Sequence, residues 1–397
     1  MNGSRDDSGM IPRNILFFIS SLRVGGAQQH LLDLCRYLAG QGINPAVCSL
    51  KPGGFFKSRF EALGIPVHEL SIGSLANLAR PSVRMKIRDI LAVADPDILH
   101  AHLYHAEIIA AAAAAISGLP LVVTRHSSGL EFSGLRRMIA AIAGRRTQCV
   151  IAVSEEAAKE AVKTGADRDS VITISNGVDT SSFRPLDTDL RHSERKRLMR
   201  EHFSAGCDPD CILIGSVGGL KPVKNLSTLV ESFAAFKSST AAGNEGARLI
   251  VIGEGPSREE LESLVEFHGL GSRVSLPGHR DRPGEYLPLL DVFVLPSWSE
   301  GVPLALLEAM SCGLACVASR VGGMPDLLGD CGLFFEPGDS EGLVEILRQL
   351  DGDVPLRVEL GRCARVRAME HFDIEIWGNR TVSAYNGLTG RGGHRLF

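Results

Sequence analysis

The chain has 397 residues, 44% of them hydrophobic and 22% charged, with 43 Gly and 19 Pro. That length is too great for one ordinary core and suits two domains. A formal charge of −4 takes nucleic acid off the list of expected partners. Residues 1–186 carry 20 Lys/Arg against 16 Asp/Glu, and the remainder carries 22 against 30. Nine Cys without a Cys-x-x-Cys pair argue against a zinc ribbon or a disulfide framework and lead to an expectation of reduced thiols in the cytosol. The apolar run Ile15–Ile19 is too short for a signal-peptide core, and the alanine-rich run Ile108–Ile116 is too short to span a membrane. The sequence therefore points to a cytoplasmic protein.

In chain order, short apolar runs predict strands at Asn14–Ile19, Ala46–Leu50, Val67–Leu70, Ile98–Ala101, Leu121–Thr124, Cys149–Val153 and Val171–Ile174. Helical patterns fall between them at Ala27–Leu38, Val83–Val93, Ile108–Ser117 and Glu155–Lys163. After a turn-rich, basic stretch that reads as a hinge ("SNGVDTSSFRPLDTDLRHSERKR"), the cadence restarts. Strands are predicted at Cys211–Val217, Arg248–Ile252, Val274–Leu276, Val292–Leu295 and Ala315–Ala318. Helices are predicted at Leu226–Phe236, Arg258–Phe267, Leu304–Met310 and Glu341–Leu350, with a last one at Ile374–Tyr385. Strand–helix alternation of this kind gives an α/β protein of two doubly wound parallel sheets, with ligands expected outside the carboxyl ends of the strands.

The sharpest segment is "VFVLPSWSEGVPLALLEAMSCGLACVAS". A buried strand ends at Pro296, Glu300 and Gly301 lie in a short loop, and Pro303 suits the first turn of a helix. Amides of Gly301, Val302 and Leu304 would then seat phosphate or sugar oxygens at a helix amino end. Glu300 and Glu308 could both accept hydrogen bonds from vicinal hydroxyls; the plain alternative is two ordinary acids near a helix start. Gly25 and Gly26 open a helix after the first strand, either to let a ligand approach the backbone or merely to make a tight turn.

Glu-x7-Glu in "SEGVPLALLEAM" resembles the donor-site motif of retaining glycosyltransferases of family 4, which have the GT-B fold. "SLRVGGAQQHLLDLCRYL", "VVTRHS", "VIAVSEEAAKEAV", "ITISNGVDTSSFRP", "VGGLKPVKNLSTLVESF", "VIGEGPSREELESL" and "VSLPGHRDRPGEYLPLLDVFVLPS" agree with that family in order and spacing. The resemblance implies two Rossmann-like doubly wound domains facing across a cleft: an acceptor domain at 13–183 and a nucleotide-sugar donor domain at 184–370. A helix at 371–388 would pack back on the first domain, with disordered ends at 1–12 and 389–397.

The resemblance also implies roles. Glu308 would hold the ribose, Glu300 the hydroxyls of the transferred sugar, and Lys224 the diphosphate, whose leaving group gains charge. His126 would contact the sugar near its reacting carbon. The family's Arg, five positions before that Lys, is Gly219 here, and its frequent Asp after the His is Ser127. Lys221 could replace the missing cation or be a solvated loop lysine, and backbone around Gly219 could cradle the phosphate instead. Gly253, in "GEGP", matches a turn beside the nucleotide. Arg280, in "GHRD", either stacks on the base or forms a surface ion pair.

Asp95/Asp97 leads into a strand through Pro96, Asp208/Asp210 and Asp351/Asp353 read as turn residues, and His100, His102 and His105 as packing or cleft-lining groups, so no metal site is expected. Nor is a cofactor, since the nucleotide-diphospho-sugar is a co-substrate. The basic, apolar stretch Gly134–Gln148 either rests on an anionic membrane surface or is a cytosolic surface helix whose apolar side is core. The expected activity is metal-independent, retaining transfer of a hexose to a hydroxyl acceptor, a lipid-linked sugar or a cell-envelope polysaccharide or glycolipid. A sugar-nucleotide hydrolase or epimerase of the same fold, and a non-catalytic sugar-nucleotide-binding subunit, are the alternatives.

Overall fold

The structure, a computed structural model, describes residues 12–73, 77–78, 80–126, 144–203, 211–236, 246–280 and 282–389. Expectations placed on 1–11 and 390–397, on 134–143 of the basic stretch, and on Ser127, Asp208, Asp210 and Asp281 fall outside the described residues. The chain divides into two units, Met1–Asn176 with Glu375–Phe397, and Gly177–Ile374.

The first unit is a seven-stranded sheet whose recorded pairings are all parallel: β1 (Asn14–Ile19), β2 (Asn44–Ser49), β3 (Val67–Glu69), β4 (Ile98–His102), β5 (Leu121–Arg125), β6 (Cys149–Ala152) and β7 (Val171–Thr173), in the order β3-β2-β1-β4-β5-β6-β7. Five of the six residues of β1 are buried, as a parallel strand covered on both faces requires. Helices α1 (Gly26–Gly40), α2 (Lys57–Ala62), α3 (Pro81–Ala94), α4 (Tyr104–Ser117) and α5 (Glu155–Lys163) connect the strands. The alanine-rich α4 lies largely in the core with Leu16, Leu99 and Val123. Among the described residues no helix is long and apolar enough to cross a membrane. The pair Asp95/Asp97 is structural: Asp97 Oδ2 accepts from the amides of Arg13 (2.7 Å) and Asn14 (2.9 Å), and Asp95 ends α3 in a left-handed conformation.

The second unit begins with α6 (Thr188–His202) and is built on β8 (Leu213–Val217), β9 (Arg248–Ile252), β10 (Val274–Gly278), β11 (Val292–Leu295), β12 (Ala315–Ser319) and β13 (Gly332–Phe335), in the order β10-β9-β8-β11-β12-β13. Its helices are α7 (Leu226–Ala235), α8 (Arg258–Phe267), α9 (Leu304–Ser311), α10 (Met324–Leu328), α11 (Ser340–Gly352) and α12 (Val354–His371).

The basic stretch read as part of a hinge is helical from Thr188, and it is anchored. Arg195, almost wholly buried, grips both oxygens of Asp291 (2.7 and 3.0 Å), and Arg191 adds a third contact at 2.8 Å. Burial alone would raise the Asp291 carboxyl, but the two guanidiniums and the Leu213 amide hold it below its usual range.

The expectation of reduced thiols is corrected at one point: Cys331 and Cys363 form a disulfide, because β13 packs beside α12 and brings the two side chains together. The last helix, α13 (Ile374–Thr389), belongs almost entirely to the first unit. Tyr37 Oη on α1 donates to Asn379 Oδ1 (3.1 Å), the Tyr37 ring fills the space beside Gly378, and Tyr385 is fully buried.

Candidate functional site

In each sheet the strand order reverses beside the first strand of the unit, at β1/β4 and at β8/β11. The carboxyl ends of those strands form the crevice in which a doubly wound sheet takes its ligands. In the second unit three loops interlock there. Gly218 (φ 154°) donates its amide to Ile252 O, Leu220 to Glu254 O, and Gly253 to Gly278 O. Gly253 (φ 151°) lies so close to the β8 loop that a Cβ would fall 1.8 Å from Gly218 O, so only glycine fits. Gly219 differs: a Cβ there would meet nothing nearer than 3.6 Å, so its lack of a side chain is not a packing requirement.

Lys224 closes the turn after β8, and Glu300 lies in the loop after β11. Lys224 Nζ donates to Glu300 Oε1 at 2.5 Å, and the buried Ser297 donates its Oγ to the same oxygen at 2.6 Å. The two loops are further joined by the Trp298 amide on Val223 O (2.8 Å), and the Ser297 carbonyl is held by Ser319 Oγ (2.5 Å). Pro303 departs from the expected position: it is the extended cap (ψ 122°), and α9 starts at Leu304 with no side chain capping its amino end. Gly301 and Val302 are buried just before it, and Gly301 O accepts from the Gly323 amide. Glu308 is half-buried on the second turn of α9. Burial, aided by Glu308, pushes the Cys312 thiol up to about 12.

In the first unit His126 follows β5. His102 Nδ1 and His126 Nε2 share a hydrogen bond of 2.9 Å, and His30 on α1 sets its ring edge-on to His126 at 4.8 Å. His100 is bound on both sides, by Tyr385 Oη and Thr124 Oγ1, each at 2.7 Å. Burial, with His126 alongside, takes His100 down to about 3, and burial takes His126 to about 4. His30 and His102 are held well below the usual imidazole range by burial first and then by their neighbours. All four rings are neutral at pH 7.

Of the residues singled out in the sequence, Lys224 and Glu300 are brought into contact. Gly219 lies earlier in the loop that carries Lys224, Gly253 lies on the adjoining loop after β9, and Lys221 is exposed at the start of the turn that Lys224 closes. Gly25 caps α1 with an extended backbone, while Gly26 has open space around it and no steric need to be glycine. Arg280 forms a surface pair: its Nε donates to Tyr286 Oη (2.9 Å), and Glu201 lies 3.9 Å away. The grouping of His100, His102 and His105 gives way to His30, His102 and His126. His105 meets the Tyr104 ring edge-on instead. His30 and Ser297 were not picked out in the sequence; the pairing of β4 with β5 was the available signal for joining His102 to His126.

Residues 24–182 match the family described as glycosyltransferase family 4, and residues 211–353 match glycosyl transferases group 1. The chain belongs to the group 1, family 4 glycosyltransferases. This glycosyltransferase is 30% identical to sulfoquinovosyl transferase SQD2 of Arabidopsis thaliana, over 94% of its own length and 73% of that protein's. It is 27% identical to N-acetyl-alpha-D-glucosaminyl L-malate synthase of Bacillus anthracis, over 80% of this chain and 82% of that one. Among solved structures, Anabaena HepE in complex with UDP-glucose matches with a TM-score of 0.81 at 24% identity, over 94% of this chain and 99% of that one. The fold is that of the GT-B glycosyltransferases, whose lipopolysaccharide-biosynthesis member WaaG also matches (TM-score 0.71).

Proposed function

We propose that this glycosyltransferase moves a hexose from a nucleotide-diphospho-sugar to a hydroxyl acceptor with retention of anomeric configuration, the acceptor being a lipid-linked sugar or a cell-envelope polysaccharide or glycolipid. The observation that carries the reading is the Lys224–Glu300 contact at the carboxyl ends of β8 and β11. One cation and one carboxylate at a switch point match the two demands of a sugar nucleotide, a diphosphate that gains charge and a ring of hydroxyls that donate hydrogen bonds. The relatives and HepE add support, since their names describe sugar transfer and a bound sugar nucleotide.

On this reading the arriving diphosphate takes Lys224 from Glu300. Glu300, still held by Ser297, accepts from the sugar hydroxyls, Glu308 accepts from the ribose hydroxyls, and His126 is assigned to the sugar beside its reacting carbon. The acceptor oxygen bonds to the anomeric carbon on the face from which the diphosphate departs, and its proton passes to the departing phosphate oxygen. The side chains supply position and charge; no step is routed through a metal or an organic cofactor.

The test is to screen UDP-, GDP- and ADP-hexoses for a rise in melting temperature, because a ligand that binds only the folded state stabilises it. The stabilising donor is then incubated with and without envelope glycolipid, and the product's anomeric configuration is read by NMR. Retention in an acceptor-dependent product is the expected result; sugar released or isomerised without acceptor, or an inverted product, overturns the reading.

A further inference from the structure

The histidine cluster of the first unit has more ligand capacity than sugar contact uses. His30, His102 and His126 each bring a ring nitrogen to within 4.8 Å of the other two. They come from three separate elements, α1, the end of β4 and the residue after β5, so the cluster is a product of the fold and not of a local sequence motif. His30 Nδ1 and His102 Nε2 are buried with no hydrogen-bond partner. A native protein seldom leaves such atoms unmet, and an orphaned pair beside a third imidazole is the donor set of a metal ion.

We propose that His30, His102 and His126 form a binding site for a borderline divalent transition metal such as Zn2+, Co2+ or Ni2+. Three imidazoles select these ions over Mg2+ and Ca2+, which demand oxygen ligands. The rings are already neutral at pH 7, which is the ligating form. A tetrahedral zinc with bonds of roughly 2.0–2.1 Å wants its nitrogens about 3.3 Å apart, so the rings close inward by small rotations on binding. The ion takes one nitrogen from each ring and supplies the partner that the unmet His30 Nδ1 and His102 Nε2 lack. On the transfer reaction proposed above, on which this consequence rests, the loaded site withdraws His126 from the sugar, so the metal acts as an inhibitor.

The test uses the full chain without a polyhistidine tag, treated with chelator and titrated with Co2+ and then Zn2+, with visible ligand-field bands and calorimetry as readouts. One equivalent of Co2+, displaced by Zn2+ and not by Mg2+, is expected. His30→Gln and His126→Gln each weaken binding by about 100-fold or more, while His105→Gln leaves it unchanged. If circular dichroism shows His30→Gln unfolded, His126→Gln decides alone. Absence of stoichiometric Co2+ binding, or binding retained in the folded variants, overturns the proposal. Donor and acceptor are both omitted, so a negative result leaves the transfer reaction standing.

Discussion

Lys224 Nζ and Glu300 Oε1 lie 2.5 Å apart although 76 residues separate them in sequence. Each neutralises the other until a ligand supplies something better. Lys224→Ala is therefore expected to weaken nucleoside-diphosphate binding and to lower kcat/KM by about 100-fold, the scale of losing one preorganised charge contact. Glu300→Gln should leave nucleoside-diphosphate affinity nearly intact and lower turnover with the sugar nucleotide. Calorimetry with the nucleoside diphosphate of the donor that stabilises the fold, and initial rates, separate the two. A Lys224→Ala variant that binds that diphosphate as tightly as the parent removes the diphosphate role.

Glu308 is half-buried on α9, one turn and more inside the helix. Replacing it by Ala deletes the acceptor assigned to the ribose and should raise the dissociation constant for the nucleotide about tenfold, the equivalent of about 1.4 kcal/mol. The same calorimetry with the 2′-deoxynucleotide checks the assignment: the parent should discriminate against it, and the variant should not.

The glycines of the β8 and β9 loops predict opposite outcomes. Gly253→Ala forces a Cβ onto Gly218 O at a backbone angle L-residues avoid, and should cost more than about 2 kcal/mol in a urea melt. Gly219→Arg meets only ordinary contacts at its Cβ, so the variant should fold like the parent. It would add the cation usual in the family and tighten donor binding by several-fold. An unfolded Gly219→Arg protein, or unchanged donor affinity, contradicts this.

Acid should weaken the first unit in a defined window. His100 titrates near 3 when folded, against an ordinary value of 6.5. Above pH 6.5 neither state carries that proton and stability is at its full value. Below it the unfolded chain takes up a proton the folded chain refuses, and stability falls by about 1.4 kcal/mol per pH unit for that residue. The loss continues down to about pH 3, with His30, His102 and His126 contributing in the same direction. Melting curves from pH 7 to 4.5 measure the slope, and His100→Asn should flatten it.

Much of the fold was legible because parallel strands buried on both faces leave continuous apolar runs, as in Val292–Leu295. The misses have physical causes. The apolar residues of α12 lie all round the helix and leave no stripe to read, and β13 is short, begins with a glycine and is only partly buried. The helix Thr188–His202 was masked by its charge, because the side chain it buries most usefully is an arginine. At the site, Glu300, Glu308 and Lys224 stood out through family spacing, whereas the partnership of Lys224 with Glu300 depends on β8 lying beside β11, an adjacency that strand order alone decides. His30 carried no local signal, since a histidine on the leucine-lined face of an amphipathic helix looks like core.

The placement of the last helix has a consequence for synthesis. The polypeptide leaves its first unit at Asn176, completes another from Gly177 to Ile374, and only then returns, with Trp377 set against His30 and Tyr385 against His100. On the ribosome the inserted unit is continuous and can finish packing first. The older one waits for residues made more than two hundred positions later, and until they emerge its imidazole cluster stays wet and unwalled.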